Sequence, residues 1–94
     1  MAEKSFELRI VTPERCFFSG EVLEVVVDAI DGREGYLARH APVMKFLKEG
    51  DAKIVIPGEK RGDANIEREL HISGGNLTAG EKIIIYTPKA EWRK

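Results

Sequence analysis

The residues of this chain that could take part in chemistry are few, and their spacing does not bring them together. Its cysteine and histidine side chains, Cys16, His40 and His71, could bind a metal, but none lies two to four residues from another, as paired zinc ligands usually do. Cys16 stands between Arg15 and Phe17 in a strand-like run, where a cysteine is more often a small buried hydrophobe than a nucleophile. We therefore predict no metal site and a structural role for Cys16.

Motifs of known catalytic sites do not occur in the sequence. It has no glycine-rich phosphate loop and no Gly-x-Ser-x-Gly elbow, and its carboxylates are scattered over predicted strand edges and turns, as solvated charges usually are. His40, two residues before Pro42, could make a pH-sensitive contact, but a histidine that hydrogen-bonds a loop carbonyl is the commoner case. The sequence therefore predicts a protein without catalytic residues or a cofactor.

Length and charge limit the possible classes of protein. Ninety-four residues suffice for one domain, which we place at residues 1–88 because Pro88 ends the last predicted strand, with a charged tail at 89–94. The net charge is −1 and no basic stripe occurs, which argues against a nucleic-acid binder. A single cysteine excludes an intrachain disulfide and fits a reducing compartment. Because the sequence shows neither a signal region nor a run of roughly eighteen apolar residues, we expect a soluble, cytoplasmic protein with no direct lipid insertion.

The elements that would position these residues are predicted to be short strands. Phe6 to Val11 alternates apolar and polar residues, the two-residue period of a strand with one buried face. Alternation or β-branched residues predict further strands at 15–18, 21–29, 43–47, 52–56, 66–72, 76–78 and 82–87. The four phenylalanines, Phe6, Phe17, Phe18 and Phe46, fall mostly in strand patterns that are expected to form the core. Short strands at this close spacing predict an all-β sandwich or a small barrel.

Turn signals separate these predicted strands. Ser19-Gly20 is predicted to turn the chain within a hairpin, Lys48 to Asp51 to end a strand, and residues 57–65 to form a solvated hairpin connection. Ser73-Gly74-Gly75 allows either a tight turn or the close approach of another backbone.

The stretch at residues 31–43, DGREGYLARHAPV, is predicted to be a shaped loop. Asp31-Gly32 and Gly35 favour turn or left-handed conformations, and they bracket Arg33 and Glu34, whose side chains we expect at an exposed tip. Such a loop could meet a partner, although most loops rich in glycine and proline only connect elements.

Three motifs in order resemble the amino-terminal domain of the epsilon subunit of F-type ATP synthases. They are VTPE with SGE at 11–14 and 19–21, the Gly32-x-x-Gly35 loop that leads to His40-Ala41-Pro42, and Ser73-Gly74-Gly75 with Leu77. The resemblance covers nearly the whole chain. It implies a flattened antiparallel β-sandwich of about eight to ten short strands, in a short form without the carboxy-terminal helical hairpin that typical members carry, since the sequence ends at Lys94.

The resemblance also implies a function. It implies a non-catalytic rotor subunit of the central stalk that binds the gamma subunit and the c-ring and couples ion flow to ATP synthesis, peripheral to the cytoplasmic face of the inner membrane. The residues that match the loop facing the c-ring are Asp31, Gly32, Arg33, Glu34 and Gly35. Those that match the gamma contact are His40, Ala41 and Pro42. The chain departs from the family where it carries Arg33 in place of a frequent acid and Ala38-Arg39 in place of a common Pro-Gly, so the charge of the contact surface is expected to differ.

Two other functions remain open at this point. A freestanding β-sandwich that binds other proteins would show the same strands but would not bind gamma. A small barrel that binds single-stranded nucleic acid needs a basic groove lined with stacking aromatic residues, which the composition lacks.

Overall fold

The computed structural model describes residues 4–60 and 62–93, and within these ranges it contains eight β-strands and no helix. The strands are β1 Phe6–Val11, β2 Cys16–Val22, β3 Glu24–Ala29, β4 Gly32–Leu37, β5 Val43–Ile56, β6 Ile66–Ala79, β7 Ile83–Tyr86 and β8 Ala90–Trp92. The all-β prediction is therefore confirmed, and the number of strands lies within the predicted range.

One continuous sheet makes both layers of the sandwich. Its strand order is β2-β1-β7-β6-β5-β3-β4, with β8 added beside β6. All pairs are antiparallel except β1 and β7, which run parallel. Strands β5 and β6 pair from Val43↔Ala79 to Ile56↔Ile66, so they pass through both layers. β1, β2 and β7 extend one layer, and β3, β4 and β8 extend the other.

The two long strands were predicted to be broken, and the structure shows why they are not. In β6 the buried residues change from Leu70 and Ile72 to Leu77 and Ala79, an even-to-odd shift that occurs across Gly74-Gly75. Gly75 has φ +108°, and a Cβ on it would overlap the carbonyl oxygen of Tyr86. Of the two predicted alternatives for this glycine pair, close backbone approach is therefore the correct one.

In β5 the predicted break at Lys48 to Asp51 is wrong for a similar reason. The strand stays paired with β6 along this stretch, and only its register with β3 shifts, between Val26 and Ala29. Gly50 lies against the Asp28 side chain, where a Cβ would come within 2.5 Å of a carboxylate oxygen. The glycine therefore permits an irregular stretch rather than ending the strand.

The chain reverses at a different place from the predicted turn at Ser19-Gly20. Both residues lie inside β2, opposite Arg9 and Leu8 of β1, and the turn between these strands is closed by hydrogen bonds between Thr12 and Arg15. β2 is therefore the hairpin partner of β1, and it is not paired with β3.

A single apolar core lies between the layers, formed mainly by leucine, isoleucine and valine from β1, β3, β5, β6 and β7. Among the phenylalanines Phe6 is buried, Phe17 and Phe18 are half-buried, and Phe46 is 57% exposed, which contradicts its predicted core position. Cys16 is also exposed, and its Sγ donates a hydrogen bond to the carbonyl of Phe18. Its predicted burial is wrong.

The segment after Pro88, predicted to be a charged tail, contributes a strand. Ala90–Trp92 pairs with Leu70–Ile72 of β6 as β8. The Trp92 ring lies 4.9 Å from the Phe17 ring of β2, and the Arg68 guanidinium lies 3.7 Å from the Trp92 ring centre. This aromatic contact joins the two layers, so the domain extends beyond residue 88.

Candidate docking surface

The predicted loop at residues 31–43 is mostly strand. Only Ile30 and Asp31 form the turn of the β3–β4 hairpin, and Gly32, with φ +134°, begins β4 opposite Ala29. Arg33 and Glu34 therefore lie within a strand, next to the turn rather than at its tip. The strand forms because each of these residues has a ladder partner on β3, which local sequence does not show.

An ion-pair network holds this hairpin against β5. Lys45 Nζ lies 2.8 Å from Asp31 Oδ2 and 3.0 Å from Glu34 Oε2. The Tyr36 hydroxyl donates a 3.0 Å hydrogen bond to the other oxygen of Glu34. Burial and then this hydrogen bond raise the pKa of Tyr36 to about 12. The hydrogen bonds that Lys45 donates to Asp31 and Glu34 raise the pKa of Lys45, and the bond to Asp31 lowers the pKa of Asp31.

Arg33 points to the other side of β4. Its NH1 atom lies 2.8 Å from Asp28 Oδ1 and donates a 3.1 Å hydrogen bond to the backbone carbonyl of Asp51. Arg33 is exposed, as the sequence predicted, whereas Glu34 is half-buried. Both side chains are ion-paired and neither stands at the tip of the turn, which corrects the rest of the expectation.

His40 contacts three separate parts of the fold. Its Nδ1 lies 2.9 Å from the carbonyl oxygen of Leu37 and its Nε2 2.9 Å from that of Gly80. Its ring meets those of Phe6 and Tyr36 edge-on, at 5.5 and 6.3 Å between centroids. The predicted carbonyl hydrogen bond is confirmed. Because both ring nitrogens face carbonyls of the same chain, His40 supports the connection into β5 from within, while Ala41 and Pro42 beside it are exposed.

The outer surface of the layer that contains β1 and β7 carries a patch of exposed apolar side chains, with the Glu7–Arg9 ion pair of β1 beside it. Met44 and Phe46 of β5 and Tyr86 of β7 are 55%, 57% and 48% exposed. Register places Phe46, Asn76, Tyr86 and Val11 in one row across four strands and Met44, Thr78, Ile84 and Arg9 in the next. We call this surface the apolar face, consisting of Met44, Phe46, Ile84, Tyr86, Val11, Asn76 and Thr78.

A shallow groove of about 400 Å³ continues the apolar face at one end. It is lined by Val11, Thr12, Pro13, Gly75, Asn76, Tyr86, Thr87 and Pro88, and its walls are almost wholly apolar. Gly75 of β6 and two prolines, Pro13 and Pro88, form part of its lining.

The outer surface of the other layer is charged. Asp51, His71 and Glu91 form one row across β5, β6 and β8, and Lys53 and Glu69 lie in the row beside it. We call this surface the charged face, consisting of Glu24, Asp28, Arg33, Glu49, Asp51, Lys53, Glu67, Glu69, His71, Glu91 and Arg93. His71 Nδ1 lies 2.9 Å from Asp51 Oδ1 and Nε2 lies 3.0 Å from Glu49 Oε2. Hydrogen bonds of its ring nitrogens to Glu49, the larger cause, and to Asp51 raise the pKa of His71.

Sequence reasoning missed the apolar face. The alternation of Met44 and Phe46 with Lys45 and Leu47 is visible in the sequence, but not which set points inward. Lys45 points inward with Leu47 because its ammonium forms ion pairs with Asp31 and Glu34 at the edge of the core. The exposed pair is then Met44 and Phe46.

Neither a metal-binding cluster nor a membrane-spanning helix occurs in the described residues. Across residues 4–60 and 62–93 no three His, Cys, Asp or Glu side chains are arranged to hold a metal ion. The same ranges contain no helix long and apolar enough to cross a membrane.

Known proteins are similar to this chain in sequence and in fold. Residues 5–93 match the family model described as ATP synthase, Delta/Epsilon chain, beta-sandwich domain. The chain is 35% identical over 87 residues to the ATP synthase epsilon chain of Chlorobium limicola, covering 92% of each protein. It is 41% identical over 93 residues to the epsilon chain of Alkaliphilus metalliredigens, covering 98% of this chain and 63% of the relative. The epsilon chain of Caldicellulosiruptor saccharolyticus is 38% identical, and 61% of its length is covered.

The chain thus spans nearly all of the Chlorobium relative and less than two thirds of the other two. Among solved structures, a chain of the Euglena gracilis mitochondrial ATP synthase, OSCP/F1/c-ring in rotational state 1, has the same fold with a TM-score of 0.78 at 19% identity, covering 94% of this chain and 53% of that one. A chain of the Tetrahymena thermophila mitochondrial ATP synthase central stalk and c-ring has a TM-score of 0.73 at 13% identity, covering 96% and 68%. The match across residues 5–93 and the identities to full-length relatives show that the chain belongs to the ATP synthase delta/epsilon chain family, through its β-sandwich domain.

Proposed function

We propose that the chain is a non-catalytic rotor subunit of the central stalk of an F-type ATP synthase. It binds the gamma subunit and rests on the c-ring, at the cytoplasmic face of the inner membrane, and it couples ion flow to ATP synthesis by binding alone. The segment His40-Ala41-Pro42 contributes to the gamma contact, and the hairpin end with Asp31, Gly32, Arg33, Glu34 and Gly35 faces the ring. Family membership and the source of the fold relatives support this assignment.

The apolar face is the observation that carries the proposal. Three large hydrophobic side chains, Met44, Phe46 and Tyr86, are about half exposed on adjoining strands beside an apolar groove. Contiguous exposed apolar surface of this kind marks interaction sites in soluble proteins. A subunit that turns with the stalk needs an interface that does not dissociate, and burying such side chains supplies roughly 1.5–3 kcal/mol each.

The apolar face is also continuous with the segment assigned to gamma. Pro42 directly precedes β5, and Met44 is the first outward-facing residue after it. His40 fixes the start of this connection through its two carbonyl contacts. In this proposal gamma covers Ala41, Pro42 and the apolar face except Phe46, which lies beside the β3–β4 turn at the end of that face. A specific interface buries roughly 1,000 Å² in total.

The proposal is tested with Tyr86→Gln, at the centre of the apolar face, in a binding measurement with purified gamma subunit. We expect the affinity to fall at least about tenfold, since truncating a central aromatic side chain commonly costs more than about 1 kcal/mol. Leu37→Gln is the matched control, because Leu37 is 59% exposed but lies on β4, away from the apolar face.

Equal affinities for Tyr86→Gln and the unchanged protein would contradict docking on this face. If the unchanged protein did not bind gamma at micromolar concentrations, the alternative of a freestanding β-sandwich interaction module would be favoured instead.

A further inference from the structure

We propose that Ile30 and Phe46, rather than Arg33, form the part of this chain that contacts the ring, and that they receive a partner loop with an apolar side chain next to a cation. The proposal rests on the proposed function and names the residues and partner chemistry of its ring-facing end. We call Ile30 and Phe46 the apolar tip.

Ile30 occupies a position that the fold itself does not explain. Neither Ile30 nor Asp31 has a positive φ, so this turn accepts most residues and does not itself require an isoleucine. The side chain is also not buried: at 63% exposed it is the most exposed large hydrophobic residue in the described part of the chain. A large exposed side chain that neither the turn nor the core requires indicates a contact outside the chain where it adjoins further exposed apolar surface.

Backbone geometry brings the second residue of the apolar tip to the same place. The Ile30 amide donates a 2.9 Å hydrogen bond to the carbonyl oxygen of Phe46, so the turn is fastened to β5 at the residue whose ring is 57% exposed. The apolar tip therefore lies at the end of the apolar face, and a backbone hydrogen bond joins its two residues.

The charges near the turn are already engaged within the chain. Arg33 pairs with Asp28 and an Asp51 carbonyl on the charged face, 2.8 and 3.1 Å away. Asp31 and Glu34 share the single ammonium of Lys45 at 2.8 and 3.0 Å. Two carboxylates against one ammonium leave a net charge of −1 beside the apolar tip, so a partner with a cation next to its apolar side chain is complementary.

The experiment measures binding of the purified c-ring to the immobilised complex of gamma with this chain, at low and high ionic strength. Ile30→Ser replaces the isoleucine with a residue that turns favour, so the melting temperature should stay unchanged while ring affinity falls at least about tenfold at both ionic strengths. Ile30→Val should keep most of the affinity, and Ile30→Thr should lose it while preserving β-branching. Arg33→Gln, in the same hairpin, should change affinity by less than about twofold.

The opposite pattern would overturn the inference: unchanged affinity with Ile30→Ser and Ile30→Thr, or a loss with Arg33→Gln that disappears at high salt. Such a result leaves the proposed function standing, because the ring still binds. Failure of the unchanged complex to bind the ring overturns the proposed function and this inference with it.

Discussion

The apolar face and the charged face share strands β5 and β6, yet they leave different chemistry to solvent. On the charged face Asp51 meets both His71 and Arg93, and Arg33 meets Asp28, so charges on neighbouring strands satisfy one another. On the apolar face Phe46 and Tyr86 expose half of their side chains beside an apolar groove. The charged face thus pairs part of its charges within the isolated domain, whereas the apolar face leaves adjoining large hydrophobic side chains exposed for a partner to cover.

The contrast depends on where the two strands change sides. Across Gly74-Gly75 the outward positions of β6 change from Glu67, Glu69 and His71 to Asn76 and Thr78. A chain that alternated regularly through this stretch would turn one of its two apolar sets toward solvent. The glycine pair therefore allows one strand to serve two layers of opposite surface character.

The largest expected effect comes from Gly75→Ala. This substitution alters the glycine pair at which the outward-facing positions of β6 change from odd to even residue numbers. The new Cβ would overlap the Tyr86 carbonyl oxygen, and alanine would have to adopt φ +108°. We expect a loss of more than about 3 kcal/mol in the free energy of unfolding, a large share of the roughly 5–15 kcal/mol available to a domain. Urea unfolding followed by Trp92 fluorescence measures it.

Gly80→Ala is the control for this prediction. No atom lies within 4 Å of a Cβ built on Gly80, so stability should change by less than about 0.5 kcal/mol. Equal stability of the two variants would show that β6 does not require the glycine pair to pass from one layer to the other.

The next prediction compares two lysines placed on β6, one before and one after Gly74-Gly75. Thr78→Lys puts a charge in the centre of the apolar face, and Glu67→Lys puts one on the charged face; both sites are exposed strand positions. Thr78→Lys should weaken gamma binding by about tenfold, since a desolvated unpaired ammonium costs more than about 1.4 kcal/mol. Glu67→Lys should change the affinity by less than about twofold. Similar losses for both would remove the functional distinction between the faces.

Much of the fold could be predicted from local sequence. The alternation in Phe6–Val11 and the isoleucines of β7 identified those strands, because side chains on a half-buried strand repeat every two residues. The breaks in β5 and β6 could not be judged in this way. Glycine weakens a strand locally, but whether the strand continues depends on a partner distant in sequence, such as Ser73 opposite Glu49.

The candidate surface was less predictable than the fold. The segment His40-Ala41-Pro42 and the hairpin residues were found through family resemblance, but their roles as contacts remain predictions. Phe46 was assigned to the core because aromatic residues in strands usually pack inside. Its exposure follows from the position of Lys45, whose two carboxylate partners come from the β3–β4 hairpin. Long-range ion pairs of this kind are not visible in a single sequence.

The smallest expected effect concerns His71 on the charged face. Its imidazole faces Glu49 and Asp51 of β5 and the Arg93 guanidinium, and Glu91 lies opposite it on β8. Only the protonated ring can donate to both carboxylates, and these hydrogen bonds raise the pKa of His71 above its ordinary value. A raised pKa in the folded state means that the stabilisation is complete below about pH 6.5, the unfolded value. It is lost as the pH rises through the folded pKa.

We therefore expect the urea midpoint to decline from about pH 6.5 upward in the unchanged protein, and to decline less in His71→Gln. Because the site is partly open to solvent, with 27% of the His71 side chain exposed, the decline should be small and should shrink at high salt. Gamma affinity at the two ends of this pH range should be the same for His71→Gln and the unchanged protein, because His71 lies on the face that gamma does not cover. A pH-dependent gamma affinity abolished by His71→Gln would instead assign the charged face a part in binding, and the separation between the two faces would have to be abandoned.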